Sequence, residues 1–251
     1  MGVLLAWLYG VTSGLAAPQA AVTREQIAAE QAYDDAKARF ATNSDNDEAV
    51  WQFAGACFDR ADGEVKDSER AALAKEGIAA CELLVRRRPK LAAGYYCLGM
   101  NQGQLARTKT LGALPLVKEM ENSWKTALAL DEHFDFAGPD RNLGQLYGDA
   151  PRPPLSIGHR AGAEAHAKRA VALEPGYPEN HLNLIELYLK WNLTAAAESE
   201  NEKLRALLPT ARQRFSGPAW KSSWEDWNRR QEAIEKKLRQ GRNAPARQRG
   251  P

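Results

Sequence analysis

Ala163, Ala167, Ala170 and Pro175 are answered 34 residues later by Ala197, Asn201, Leu204 and Pro209. A period of about 34 residues is the length of one helix-turn-helix unit. Such a unit cannot bury both of its apolar faces alone, so each copy must stack on a neighbour. A chain of 251 residues with 44% hydrophobic and 26% charged residues has the composition of a folded protein, not of a disordered chain or a membrane bundle. The expected architecture is all-α: a helical solenoid of about four helix pairs.

The repeat of this length that combines a Leu-Gly pair, an aromatic residue, small residues and a closing Pro is the tetratricopeptide. The fourth unit fits this template through Leu184 and Tyr188, then Ala197, Leu204 and Pro209, with Asn192 in a turn that needs a left-handed residue. The third has Leu143, Gly144 and Tyr147, then Ala163 to Pro175. Its connection is lengthened by Pro151-Arg-Pro-Pro-Leu-Ser-Ile-Gly158, a stiff insertion expected to form a rim or lid. The second has Tyr95, Leu98 and Gly99, then Trp124 and Ala127, with an insertion over 107–115 after which the helix resumes at Leu116. The first has Trp51, Gly55 and Phe58, then Gly77, Cys81, Leu84 and Pro89, with an insertion over 62–70. Pro89, Pro175 and Pro209 are read as helix stops, because proline lacks the amide donor. A helix over 24–40 is expected as the N-terminal cap. Another over 219–238 is expected as the C-terminal cap, with Trp220, Trp224 and Trp227 on one face.

Residues 1–20 carry no charge, and the apolar run Val3 to Leu8 precedes Gly10, Ser13 and Gly14. Residues 1–21 therefore resemble a signal peptide or a short N-terminal anchor. The repeats are expected over 22–240 as a single domain, followed by a flexible basic tail over 241–251. Six of the 34 basic residues lie in 236–251 with no acid among them, so the rest of the chain is mildly acidic. A solvated tail end explains this pattern without nucleic acid. No segment after the leader has the roughly 18 to 20 apolar residues that span a bilayer. Cys57, Cys81 and Cys97 allow at most one intrachain bridge.

Phosphate-binding, zinc and nucleophile-elbow motifs are missing, and His133, His159, His166 and His181 are too scattered for a metal site. No cofactor, metal or catalytic role is expected. First-helix positions flanking the Leu-Gly core select Tyr96, Arg141, Asn142, Gln145, Asn183, Glu186 and Lys190 as contacts for a protein or peptide partner on the concave face. Arg141, Gln145 and Asn183 partly resemble carboxylate-clamping positions. The rival expectation is a hydrophobic small molecule held between the expanded connections and Trp191 or Trp220.

Leu143-Gly144-x-x-Tyr147, the Pro-rich insertion and Ala170-Val-Ala-Leu-Glu-Pro175 together resemble the T-component family of TRAP-type solute transporters and the related regulators of microtubule dynamics. The resemblance implies a bacterial periplasmic scaffold that meets a solute-binding protein. Lipidated members carry a cysteine after the leader and this chain has none there, so it resembles an exported, soluble relative.

Overall fold

A computed structural model describes residues 24–63, 66–109 and 112–243. The leader and most of the basic tail, both expected from sequence, lie outside the described residues. Among the described residues the structure has ten α-helices and one short 3-10 turn. These residues group into two compact units. One, the N-terminal unit, runs to Phe134 and includes 149–157. The other, the C-terminal unit, comprises Asp135–Gly148 and the chain from Gly158 onward.

The N-terminal unit contains α1 (Arg24–Thr42), α2 (Asp47–Gly63), α3 (Asp67–Arg87), α4 (Ala92–Arg107) and α5 (Ala113–Leu130). Helix α1 is the expected cap. Asn46 then starts α2 by accepting the Ala49 amide on its side chain at 3.0 Å. Phe40 stacks on Phe53 with ring centroids 4.9 Å apart, above a core of Val50, Ala54, Leu73, Ala80 and Leu84. The α4–α5 hairpin closes through one size rule. Trp124 is fully buried, and a Cβ at residue 99 would stand only 2.4 Å from its Nε1. Only glycine fits there, and the indole then donates to the Tyr96 carbonyl at 3.3 Å.

Of the two insertions expected in this unit, that over 62–70 is largely helical among its described residues and that over 107–115 is helical at its two ends. Helix α2 continues to Gly63 and α3 begins at Asp67, where Asp67 and Glu69 suit the positive end of the helix dipole. Helix α5 begins at Ala113, before the expected restart at Leu116, and Pro115 falls in its first turn, which has no need of that amide. All three cysteines are free and buried. Burial, reinforced by Glu76 and Cys97, pushes the Cys57 thiol well up. Burial and the neighbouring Cys97 do the same to Cys81. These thiols are packing groups.

The C-terminal unit contains the regular part of α6 (Phe134–Asp149), α7 (Arg160–Leu173), α8 (Pro178–Lys190), α9 (Thr194–Arg214) and α10 (Lys221–Asn243). Gly144 does here what Gly99 does in the other unit: an added Cβ would lie 3.1 Å from the Ala167 amide nitrogen and 3.2 Å from the Ala163 carbonyl. Asn192 turns α8 into α9 with φ 57°, the left-handed residue expected there. Pro178 opens α8 at its first turn.

Two features differ from expectation. Helix α9 does not stop at Pro209 but continues to Arg214. The extra turn buries Ala211 and delivers Phe215 to an aromatic cluster, which offsets the roughly 3 kcal/mol that an interior proline costs. Helix α10 continues through Gly241, Arg242 and Asn243, into the stretch expected as tail.

Candidate functional site

Along α8 the polar residues Glu179, Asn183, Glu186 and Lys190 follow steps of four, three and four, which places them on one stripe. Helix α10 meets this stripe through Arg230. Its guanidinium donates to both carboxylate oxygens of Glu186, at 2.9 and 2.7 Å, and to the Asn183 side-chain carbonyl. Glu179 and Asp226 lie 3.9 and 3.5 Å from the same group. Burial opposes the charge on Arg230, but Glu186, Glu179 and Asp226 outweigh it and hold the guanidinium firmly protonated. Burial pushes the Asp226 carboxyl up, against the pull of Arg230 and Arg229. Asn183 spends its oxygen on Arg230, while its buried Nδ2 has no hydrogen-bond partner.

Glu179 links this arrangement to a second cation, Arg141, 3.7 Å away. Arg141 is buried and serves the backbone. Asp135, Phe136 and Ala137 all have left-handed φ values, 49°, 55° and 60°, each costing a non-glycine residue roughly 1 kcal/mol or more. The Arg141 guanidinium donates to the Asp135 and Phe136 carbonyls at 3.0 and 3.2 Å and pairs with the Asp135 carboxylate at 2.6 Å. Asn180 adds a hydrogen bond to the Phe136 carbonyl at 3.1 Å. Phe136 then stacks on Tyr177 at 4.5 Å.

The seven expected contacts therefore separate by exposure. Tyr96, Arg141, Asn142 and Asn183 are buried, so the expectation that they line an open face is corrected. Tyr96 lies in the N-terminal unit with its ring against the edge of Phe134 at 5.2 Å. Arg141 holds the left-handed turn, and Asn183 is covered by α10. Gln145 and Glu186 remain partly exposed and Lys190 exposed, with Lys190 Nζ donating to the Gly148 carbonyl at 2.7 Å.

The tryptophan face of α10 is packed. Trp227 is 2% exposed, and its ring meets those of Trp224, Tyr177 and Phe215 at 4.9, 5.4 and 6.1 Å. Rings in mutual contact leave no room between them for a solute, and Trp191 is covered by the Arg160 guanidinium at 4.8 Å. The described residues do form a shallow depression of about 300 Å³, in the N-terminal unit between α1 and α2, lined by Arg39, Asn43, Glu48 and Gln52. The Pro-rich insertion is irregular backbone whose Leu155 is 70% exposed.

Two histidines are held by carboxylates. His181 lies 2.6 Å from Glu200 and, through its other ring nitrogen, 2.8 Å from the Pro175 carbonyl. His166 lies 2.6 Å from fully buried Asp140. Burial pushes the Glu200 carboxyl up, but hydrogen bonds from His181 and Lys203 outweigh it and leave it below the usual range. Sequence reasoning missed Arg230, Glu179 and Asn180. Arg230 had a visible signal: it follows Trp227 by three residues and so shares the face that α10 buries.

No family model and no curated protein matches the chain. Among solved structures it is similar to TTC0263, a thermophilic TPR protein of Thermus thermophilus, with TM-score 0.56 and 23% identity over 75% of this chain and 91% of that one. It is also similar to MamA, with TM-score 0.50 and 15% identity over 76% and 94%. At these identities the likeness concerns the fold, and together with the helical hairpins it makes this an all-α, tetratricopeptide-like protein.

Proposed function

We propose that the chain is a non-enzymatic, exported helical-repeat scaffold that binds a protein or peptide partner through the faces of its first helices. The observation that carries this reading is the division of labour on α6 and α8. Gly144 and Leu184 are spent on packing, whereas Gln145 and Lys190 keep polar groups at the surface. Stacked hairpins present such faces repeatedly, the arrangement that repeat proteins use for extended partners. The uncharged leader supports export to the bacterial periplasm. The Leu143-Gly144-x-x-Tyr147 and Pro-rich motifs support a lineage near the TRAP T-components, and a solute-binding protein encoded beside this chain would strengthen it.

Site-specific photocrosslinking in cells tests the reading. A crosslinker replacing Gln145 should give a discrete adduct with another protein, and one replacing Lys168, on the exposed side of α7, should not. Equal labelling from both positions, or none from either, would remove the scaffold role.

A further inference from the structure

Three observations concern how α10 sits on α8. First, the groups on α8 that face outward from the hairpin are a carboxylate, an amide and a second carboxylate, Glu179, Asn183 and Glu186, and all three converge on one arginine. That is the donor-acceptor pattern of a site for a guanidinium. Second, the occupant is imperfect. Asn183 keeps a buried Nδ2 with no acceptor, a defect that ordinarily costs on the order of 1–3 kcal/mol. Third, the occupant hangs on a narrow attachment. Beyond Arg230, α10 buries Trp227, Ile234 and Leu238, while most of its other side chains are charged or polar. It joins the body through Gly217, whose φ of 92° suits glycine.

We propose that α10 is a displaceable internal ligand. It covers a site on α8 built for an arginine-bearing amphipathic helix of a partner protein, and it keeps that site closed until the partner competes for it. This rests on the scaffold reading above and names the partner's chemistry. The partner presents an aromatic residue three positions before an arginine, as Trp227 precedes Arg230. It also brings a hydrogen-bond acceptor within reach of Asn183 Nδ2, which α10 does not supply. A binding site open in only a fraction of molecules shows an apparent Kd weakened by that fraction. Closure by α10 therefore sets the threshold for the partner.

The experiment uses the full-length protein and a fluorescent peptide of residues 218–240 as probe. Arg230→Glu sets a carboxylate against Glu186 and Glu179 and opens the site, and Trp227→Ser opens it from the apolar side with Arg230 intact. Circular dichroism confirms that each variant stays helical. The opened proteins should bind the peptide at least about tenfold more tightly than wild type. A peptide carrying Arg230→Glu should lose that gain. Combining Arg230→Glu with Glu186→Arg in one chain should close the site again, read as recovered amide protection along 221–243.

Equal affinity in wild type and both opened variants, or no binding to either while both remain helical, would make α10 a fixed part of the core and overturn the proposal. A wild-type chain whose mass doubles with concentration as α10 is exchanged between copies would assign the site to a second copy and overturn the partner assignment. Failure here with the Gln145 crosslink intact would leave the scaffold role standing, whereas loss of both would remove it.

Discussion

The two units solve the same problem, closing a helical hairpin, with different chemistry inside. In the N-terminal unit the hairpins close on Trp124, Phe53, Leu84 and three buried thiols, its cross-helix ion pairs such as Lys37–Glu76 and Arg107–Asp62 stay toward the surface, and buried Glu121 is paired within its own helix by Lys118 and Lys125. In the C-terminal unit Asp140, Arg141, Glu179, His181 and Glu200 are all buried, and Arg230 nearly so. Packed apolar surface stabilises without specifying a single mate. Buried charges must find complementary partners, because a charge left alone in the interior is strongly destabilising. The C-terminal unit thus combines the hairpin fold with recognition chemistry that its own α10 satisfies.

The contrast is most exposed to failure at Trp124. Trp124→Ala leaves a large cavity and removes the indole's hydrogen bond to the Tyr96 carbonyl, and should lower stability in urea by about 4 kcal/mol. A loss below about 1 kcal/mol would show that the N-terminal unit does not depend on that packing. Arg141→Met removes a cation from Asp135 and Glu179 and two hydrogen bonds to backbone carbonyls of the left-handed turn, and should cost about 3 kcal/mol. Arg141→Lys should recover little of it, since a lysine lacks the fork that reaches two carbonyls and a carboxylate together. Full recovery by lysine would mean that charge alone matters there.

Acid should act on the C-terminal unit through Glu200. The folded-state pKa of Glu200 is depressed, so its contribution is fully present above the unfolded value of about 4.3. The contribution is lost as pH falls from there through the lower folded value. Glu200→Gln should therefore reduce stability by about 1 kcal/mol at pH 7 and flatten the decline measured between pH 5 and pH 3. An unchanged slope would remove Glu200 from the account. The smallest effect is expected at Lys37, whose side chain is half exposed. Lys37→Met should change stability by no more than about 0.5 kcal/mol, because solvent screens that pair.

Much of the fold was legible in the sequence because size rules are local. The 34-residue spacing locates Ala163, Ala167, Ala197 and Leu204 at buried positions, and Leu-Gly reports a close approach that Gly144 makes against α7. Asn192 advertises a left-handed turn through its type. Pro209 misled because a stop signal is also local, and the burial of Phe215 that overrides it is not. The site was less legible for the same reason. Periodicity shows which residues share a stripe of α8, but what covers that stripe arrives from Arg230, 47 residues beyond Asn183. Arg141 reads as a surface cation unless the left-handed turn at Asp135, Phe136 and Ala137 is known, and none of those three is the glycine that would announce it.

Hydrogen exchange on the full-length protein, with and without Arg230→Glu, tests most directly whether recognition groups on α8 are held closed by α10. The variant should lose protection along 221–243 while α8 and α9 keep theirs, as expected for local opening of a docked helix. Protection unchanged along α10, or lost uniformly through α8, α9 and α10, would contradict it.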